Sequence, residues 1–178
     1  LRGGAAGRFS PPLPFALECL HPLAGTVVVR FVRCFQGQSM SSRRPRIEGF
    51  AIISSEGMIA ASDGSFPEKL KIPADQKFYQ DSVDRAAAVA NGRHSAEGGP
   101  KEAARRRIVL TRRVERVVPD PDNANAILWN PASAPFEEAW MRLNVGDGTL
   151  AVVGGTDVFG LFLNIGYDVF FLTRTDAS

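Results

Sequence analysis

Histidine and cysteine are scarce in this 178-residue chain, with two of each. Both cysteines, Cys19 and Cys34, and one histidine, His21, lie near the N-terminus, leaving His94 alone in the remainder. That leaves no His/Cys set for a metal centre and no Cys–His nucleophile pair in the main part of the chain. Cys19 and Cys34 could pair only in an oxidising compartment, and the cysteine-free remainder offers no disulfide framework. No apolar run approaches the roughly 18 residues that span a bilayer. A formal net charge of +2 gives no bulk electrostatic ground for a nucleic-acid or membrane partner. No G-x-S-x-G elbow occurs, and no G-x-G-x-x-G fingerprint, which disfavours an ordinary Rossmann domain. Internal repeats are absent, and low complexity is confined to the Gly- and Pro-rich opening "LRGGAAGRFSPPLPF".

What is present is the composition of one globular domain, 44% hydrophobic and 22% charged. There is a seam near residue 40. Residues 1–39 carry Arg2, Arg8, Arg30 and Arg33 against one acid, Glu18, and "MSSRRPRIEGFAII" from Met40 reads as a natural start. The early segment could be a targeting peptide, though it lacks an apolar h-region and a cleavage pattern. It could add a strand through "TVVVRFVRCF". The plainest reading puts residues 1–39 outside the folded unit, disordered or non-native, and residues 40–178 in a single domain.

Strand and helix signals alternate through that domain. "IEGFAIIS" (47–54) is β-rich and closes at the turn dipeptide Glu56-Gly57. A long polar loop follows to Pro73, of a length that usually carries function. Pro73 opens a helix to about Ala86, with Asp75 suited to the positive end of its dipole. "AAVAN" (87–91), "RIVLTR" (107–112), "AILWN" (126–130), "TLAVVGG" (149–155) and "YDVFFLTRT" (167–175) read as strands. "PFEEAWMRLN" (135–144) and "TDVFGLFLNIG" (156–166) read as helices. Apolar strands alternating with helices predict an α/β, doubly wound, mostly parallel sheet covered on both faces.

Four stretches carry chemistry, each with a bland alternative. In "VVGGTDVF", Gly154 and Gly155 let a phosphate approach backbone N–H groups at a helix start, or simply make a tight strand–helix turn. "NGRHS" offers Arg93, His94 and Ser95 to a phosphate after a buried strand, or is a polar surface loop. "LTRR" ends a strand with Thr111 and Arg112, interesting only if it neighbours "NGRHS" in space. Asp75, Phe78, Tyr79 and Ser82 share one helix face, where a carboxylate among apolar groups needs a donor unless it is only a solvated first-turn acid.

In this order, "SSEGMIA", "IPADQKFYQ", "NGRHS", "RIVLTRR", "VVGGTDVF" and "FFLTRTD" resemble the dihydrofolate reductase family from about Ile47 to Thr175. The resemblance implies NADPH across the strand ends and a pterin-like substrate. It makes Asp75 the active-site carboxylate that binds the pterin's amino and ring N–H groups and favours the protonated imine. Ile53, Phe78 and Tyr79 would line the substrate pocket, and Arg105 would clamp the glutamate tail of folate. Arg93, His94 and Ser95 would form the phosphate-binding turn. Thr111 and Arg112 would meet the adenosine 2′-phosphate, and Gly154, Gly155 and Thr156 the nicotinamide–pyrophosphate portion. "SSEGMIAASDG" is also similar to the reductase domain of riboflavin biosynthesis, which shares the fold and NADPH but takes a pyrimidine.

The sequence departs from the family pattern in places. Pro67-Glu68 replaces Pro-Trp in the loop, Thr156 replaces the third glycine, and "AEGGPKEAA" replaces an aromatic-bearing helix. The last two strands, a closing hairpin, are missing, which would leave the final strand as a bare edge open to pairing with a second copy. The expectation is a divergent bacterial, cytoplasmic NADPH-dependent reductase with a small heterocyclic substrate. The alternatives are a pyrimidine reductase and a non-enzymatic nucleotide-binding or oligomerising member of the fold.

Overall fold

The computed structural model describes residues 15–23, 26–33, 44–54, 57, 72–94 and 100–174, with side chains from residue 44 onward. Strands β1 (Phe15–Leu23), β2 (Thr26–Arg33), β3 (Arg46–Ile53), β4 (Ala88–Gly92), β5 (Arg107–Leu110), β6 (Val117–Pro119), β7 (Ala126–Trp129), β8 (Thr149–Gly154) and β9 (Val169–Arg174) form one sheet. Its order is β1-β2-β9-β3-β8-β4-β5-β7-β6. The run from β9 to β7 is parallel throughout. Antiparallel strands close both sides: β6 beside β7, and the β1–β2 hairpin beside β9.

Helices α1 (Pro73–Arg85), α2 (Pro100–Ala104), α3 (Phe136–Leu143) and α4 (Thr156–Ile165) cover the sheet. Because strand side chains alternate between faces, the core divides in two. On one face, Ile47, Ala88, Ala90, Ile108, Leu150 and Val152 pack under Phe136 and Trp140 of α3 and Phe162 of α4. On the other, Phe50, Val89 and Ala151 pack under Val83 of α1. The two-sided covering explains why these strands carry apolar side chains on both faces rather than in alternation.

Local chemistry sets the helix ends. Pro73 sits at the start of α1, where its missing N–H bonds nothing. Asn144 ends α3 in the left-handed region, φ 53°, with its N–H on the Met141 carbonyl. Gly49 answers a different need. A Cβ there would lie 2.3 Å from the Phe170 ring and 2.8 Å from that of Tyr167, so the absence of a side chain lets both rings close on β3.

The N-terminal segment departs from expectation. Val27 to Val32 of β2 pair with Arg174 to Val169 of β9, and β1 pairs outside β2. Residues 15–23 and 26–33 are therefore part of the sheet rather than outside it. The edge expected to be bare on β9 is occupied, so dimerisation through that edge is not available. An antiparallel hairpin lies on that edge, supplied from the start of the chain. Cys34 and the long loop 58–71 lie outside the described residues. Strand β6 and helix α2 were not anticipated. Three and five residues respectively are too short to show a period. Among the described residues no helix is long and apolar enough to cross a membrane, and no group of three or more His, Cys, Asp or Glu side chains is placed to hold a metal ion.

Candidate functional site at the carboxyl ends of the strands

The connections from β3 and β8 run over opposite faces of the sheet. Helix α1 carries the chain from β3 past β8 to β4, whereas α4 carries it from β8 past β3 to β9. Such a reversal opens a crevice at the carboxyl ends of the central strands, the usual ligand position in open α/β sheets. The sequence motifs converge there. Gly154 ends β8, Gly92 ends β4, Leu110 ends β5 and Ile53 ends β3.

Asp75 stands on the first turn of α1, half-buried, and its Oδ1 accepts a hydrogen bond from Thr173 Oγ1 at 2.5 Å. Thr173 is 4% exposed on β9, opposite Ile52 of β3. Burial pushes the Asp75 carboxyl above its ordinary value of 3.8, and the Thr173 hydrogen bond pulls partly the other way. Asp75 is therefore neither a solvated first-turn acid nor an unpaired charge. Beside it lies an aromatic wall: Phe50 stacks on Phe171 at 5.1 Å, Phe78 meets Phe171 edge-on at 5.1 Å, and Tyr79 meets Phe50 at 6.3 Å. Phe78 keeps an exposed edge, 38% accessible.

Two strand spacings, about 10 Å, separate β9 from β8 across β3. At the end of β8 the Gly154–Gly155 peptide is cis, and Gly154 has φ +136°, which L side chains rarely adopt. Gly155 has no side chain to cap α4 and its carbonyl accepts the Val158 and Phe159 N–H groups, so the first-turn N–H groups offered at that end are those of Thr156 and Asp157. On the next strand over, Gly92 leads into exposed Arg93 and His94, whose side chains lie 2.7 Å apart. One strand further, Thr111 is buried, with its Oγ1 accepting the Arg113 N–H, and Arg112 is exposed. The proximity that "NGRHS" and "LTRR" required is thus met, because β4 and β5 are hydrogen-bonded neighbours. Ser95 lies outside the described residues. Uncapped N–H groups, glycine backbone and two exposed guanidinium groups along three adjacent strand ends fit an elongated phosphate-bearing ligand.

Arg105 is elsewhere. Its guanidinium binds Asp84 Oδ1 at 2.6 Å and Gln80 Oε1 at 3.3 Å on α1. Arg105 and then Lys101 hold the Asp84 carboxyl below its ordinary range. These residues line a cleft of about 290 Å³ between the end of α1 and α2, with Val83, Ala86 and Val89 in its walls. It lies at the opposite end of α1 from Asp75, and the convergent polar groups are at the strand ends instead.

Thr173, Phe50 and Phe171 are site residues that sequence reasoning did not assign. Thr173 had one visible signal, a lone hydroxyl in the apolar strand "VFFLTR", but its partner is 98 positions away.

No family model matches the chain, and no curated protein matches it by sequence. Among solved structures, a diaminohydroxyphosphoribosylaminopyrimidine deaminase/5-amino-6-(5-phosphoribosylamino)uracil reductase from Thermotoga maritima superposes with TM-score 0.50 at 19% identity, covering 75% of this chain and 45% of that one. The fold is dihydrofolate reductase-like. A dihydrofolate reductase from Enterococcus faecalis, complexed with NADP(H) and RAB-propyl, aligns at TM-score 0.49 and 21% identity, over 72% of this chain and 69% of that one.

Proposed function

We propose that this chain is an NADPH-dependent reductase that transfers a hydride to a pterin-like heterocycle such as dihydrofolate. Asp75 is the observation that carries this proposal: a half-buried carboxylate held by Thr173 at the strand-end crevice, against an aromatic wall. A carboxylate offers two coplanar acceptor oxygens, which suit the paired N–H donors of a 2-amino heterocycle. Thr173 donates to one lone pair of Oδ1 and orients the group, which leaves Oδ2 and the second lone pair of Oδ1 to accept the paired N–H donors of the substrate. Burial raises its pKa, so the ionised group is a stronger base than an exposed carboxylate, and its negative charge beside the ring favours the protonated heterocycle. Phe78 and Tyr79, with Ile53 at the strand end, give a flat ring an apolar surface to lie against.

NADPH bound along the strand ends would supply the hydride. Gly154 and Gly155 would keep side chains clear of it, with Thr156 at the helix start. Arg93, His94 and Ser95 would meet its phosphates, and Thr111 and Arg112 its 2′-phosphate. What the chain itself contributes is orientation, exclusion of water and the Asp75 proton.

The ion pair of Arg105 with Asp84 favours a second reading. A folate tail would have to displace Asp84 to be clamped by Arg105, whereas a ribosylamino-pyrimidine phosphate carries no such tail. The test is NADPH binding by fluorescence, followed by NADPH oxidation with dihydrofolate and with the pyrimidine offered separately. Binding with turnover of dihydrofolate supports the first reading, and turnover of only the pyrimidine supports the second. Absence of NADPH binding defeats both.

A further inference from the structure

The most buried polar cluster of the described residues lies outside the groups used so far. Arg107, at the start of β5, is 8% exposed, and its guanidinium pairs with Glu102 of α2, itself 8% exposed. The same guanidinium donates to Asn91 Oδ1 at 2.8 Å. Asn91 is 1% exposed, and its Nδ2 donates to the Gly92 carbonyl at 2.9 Å. The sheet register explains the reach. Arg107 pairs with Val89, so Asn91 is the next residue on the same face, within range of a long side chain.

We infer that Arg107 and Asn91 are positioning residues for the Gly92–His94 turn, and through it for the phosphate of the cofactor. The inference rests on the NADPH reading above. An amide has a donor end and an acceptor end. A cation on Oδ1 determines which way the Asn91 amide faces, and Nδ2 is thereby aimed at the Gly92 carbonyl. Asn91 also stands opposite Gly154 where the β4–β8 register shifts, so the residue that Arg107 orients from β5 lies at the junction of the two strand ends at the phosphate crevice. Glu102, on α2, holds the Arg107 guanidinium from the side away from Asn91.

Stability alone does not account for the pair. A buried Arg–Glu pair usually holds a fold together no better than packed apolar side chains of the same volume. Helix α2 is already tied to α1 by Lys101 and Arg105 on Asp84. What apolar replacements could not reproduce is the oriented amide.

The test uses the full chain with the double substitution Glu102→Leu/Arg107→Met, which removes both charges and keeps side-chain bulk. Thermal stability is expected to stay within about 3 °C of wild type. Amide hydrogen exchange at Gly92–His94 should accelerate, and the NADPH dissociation constant should rise about tenfold, the loss of one well-placed hydrogen bond. The kcat and the KM for the heterocycle at saturating NADPH should be unchanged. A folded double variant with wild-type exchange at the turn, or with wild-type NADPH affinity, overturns the inference. If the double variant does not fold, Asn91→Asp decides on the same two readouts, since it keeps an acceptor for Arg107 and loses the donor to Gly92. A wild-type chain that binds no NADPH refutes the reductase reading, and the exchange measurement then decides the positioning role alone.

Discussion

Replacing Thr173 by valine removes one hydroxyl from a site that is 4% exposed and keeps the shape of the side chain. The lost contact is the hydrogen bond to Asp75 Oδ1. Hydrogen bonds to charged groups contribute about 1.5–3 kcal/mol when fully buried. Asp75 is only half-buried, so water can replace part of the lost donor, and about 1–1.5 kcal/mol is expected at pH 7.5. For a chain of this size that lowers Tm by about 2–6 °C. The pH dependence is the sharper part. Burial places the native pKa of Asp75 above its ordinary value of 3.8, so the native state binds more protons than the unfolded state above that value. Stability from this group is therefore greatest below pH 3.8 and declines as pH rises through the native pKa. The Thr173 hydroxyl favours the ionised form, and without it the decline is steeper. The difference between wild type and Thr173→Val should thus be largest at pH 7.5 and shrink to about 0.5 kcal/mol at pH 4, where the contact is increasingly between neutral groups. Urea unfolding at pH 4, 5.5 and 7.5 measures this, and contributions from other carboxyls cancel in the difference. A difference that is constant with pH, or larger at pH 4, would refute the reasoning.

Three further outcomes are expected. Asp75→Asn keeps an acceptor for Thr173 and removes a charge from a partly desolvated site, so thermal unfolding should show a gain in stability at pH 7.5 that vanishes toward pH 4. Gly49→Ala forces a methyl against the Phe170 and Tyr167 rings. A loss of about 3 kcal/mol in urea unfolding is expected, and a neutral result would mean that β3 and the rings are not so closely packed. Val29→Pro places proline in a strand paired on both sides, opposite Cys19 and Leu172. It should cost about 3 kcal/mol or more, whereas no change in stability would mean that the hairpin is not part of the folded sheet.

The parts of the fold legible in the sequence are those set by local signals. The interior strands and α1, α3 and α4 followed from apolar runs, Pro73 at a helix start and glycines at strand ends. The hairpin was legible only in part: "TVVVRFVRCF" could be read as a strand, but "FALECLHPL" was not, and both find their place only through β9, at the far end of the chain. A Gly- and Pro-rich opening with isolated arginines hides a strand whose partner is so distant in sequence. The site divides in the same way. Spacing alone put Asp75, Phe78 and Tyr79 on one helix face, and residue order suggested their neighbours. The Thr173 donor, the Phe50–Phe171 stack and the Glu102–Arg107–Asn91 network depend on strand register, which no single stretch encodes. Arg105 shows the converse: its position in the sequence suggested a tail clamp, but the fold gives its guanidinium to Asp84.

The central claim is that Asp75 manages the proton of a bound heterocycle. Single-turnover stopped flow with NADPH-loaded wild type and Asp75→Asn, mixed with dihydrofolate, tests it most directly. A proton-managing carboxylate predicts a hydride-transfer rate at least about 100-fold slower in the variant, with NADPH affinity unchanged. Equal rates in the two proteins, both loaded with NADPH, would contradict the claim.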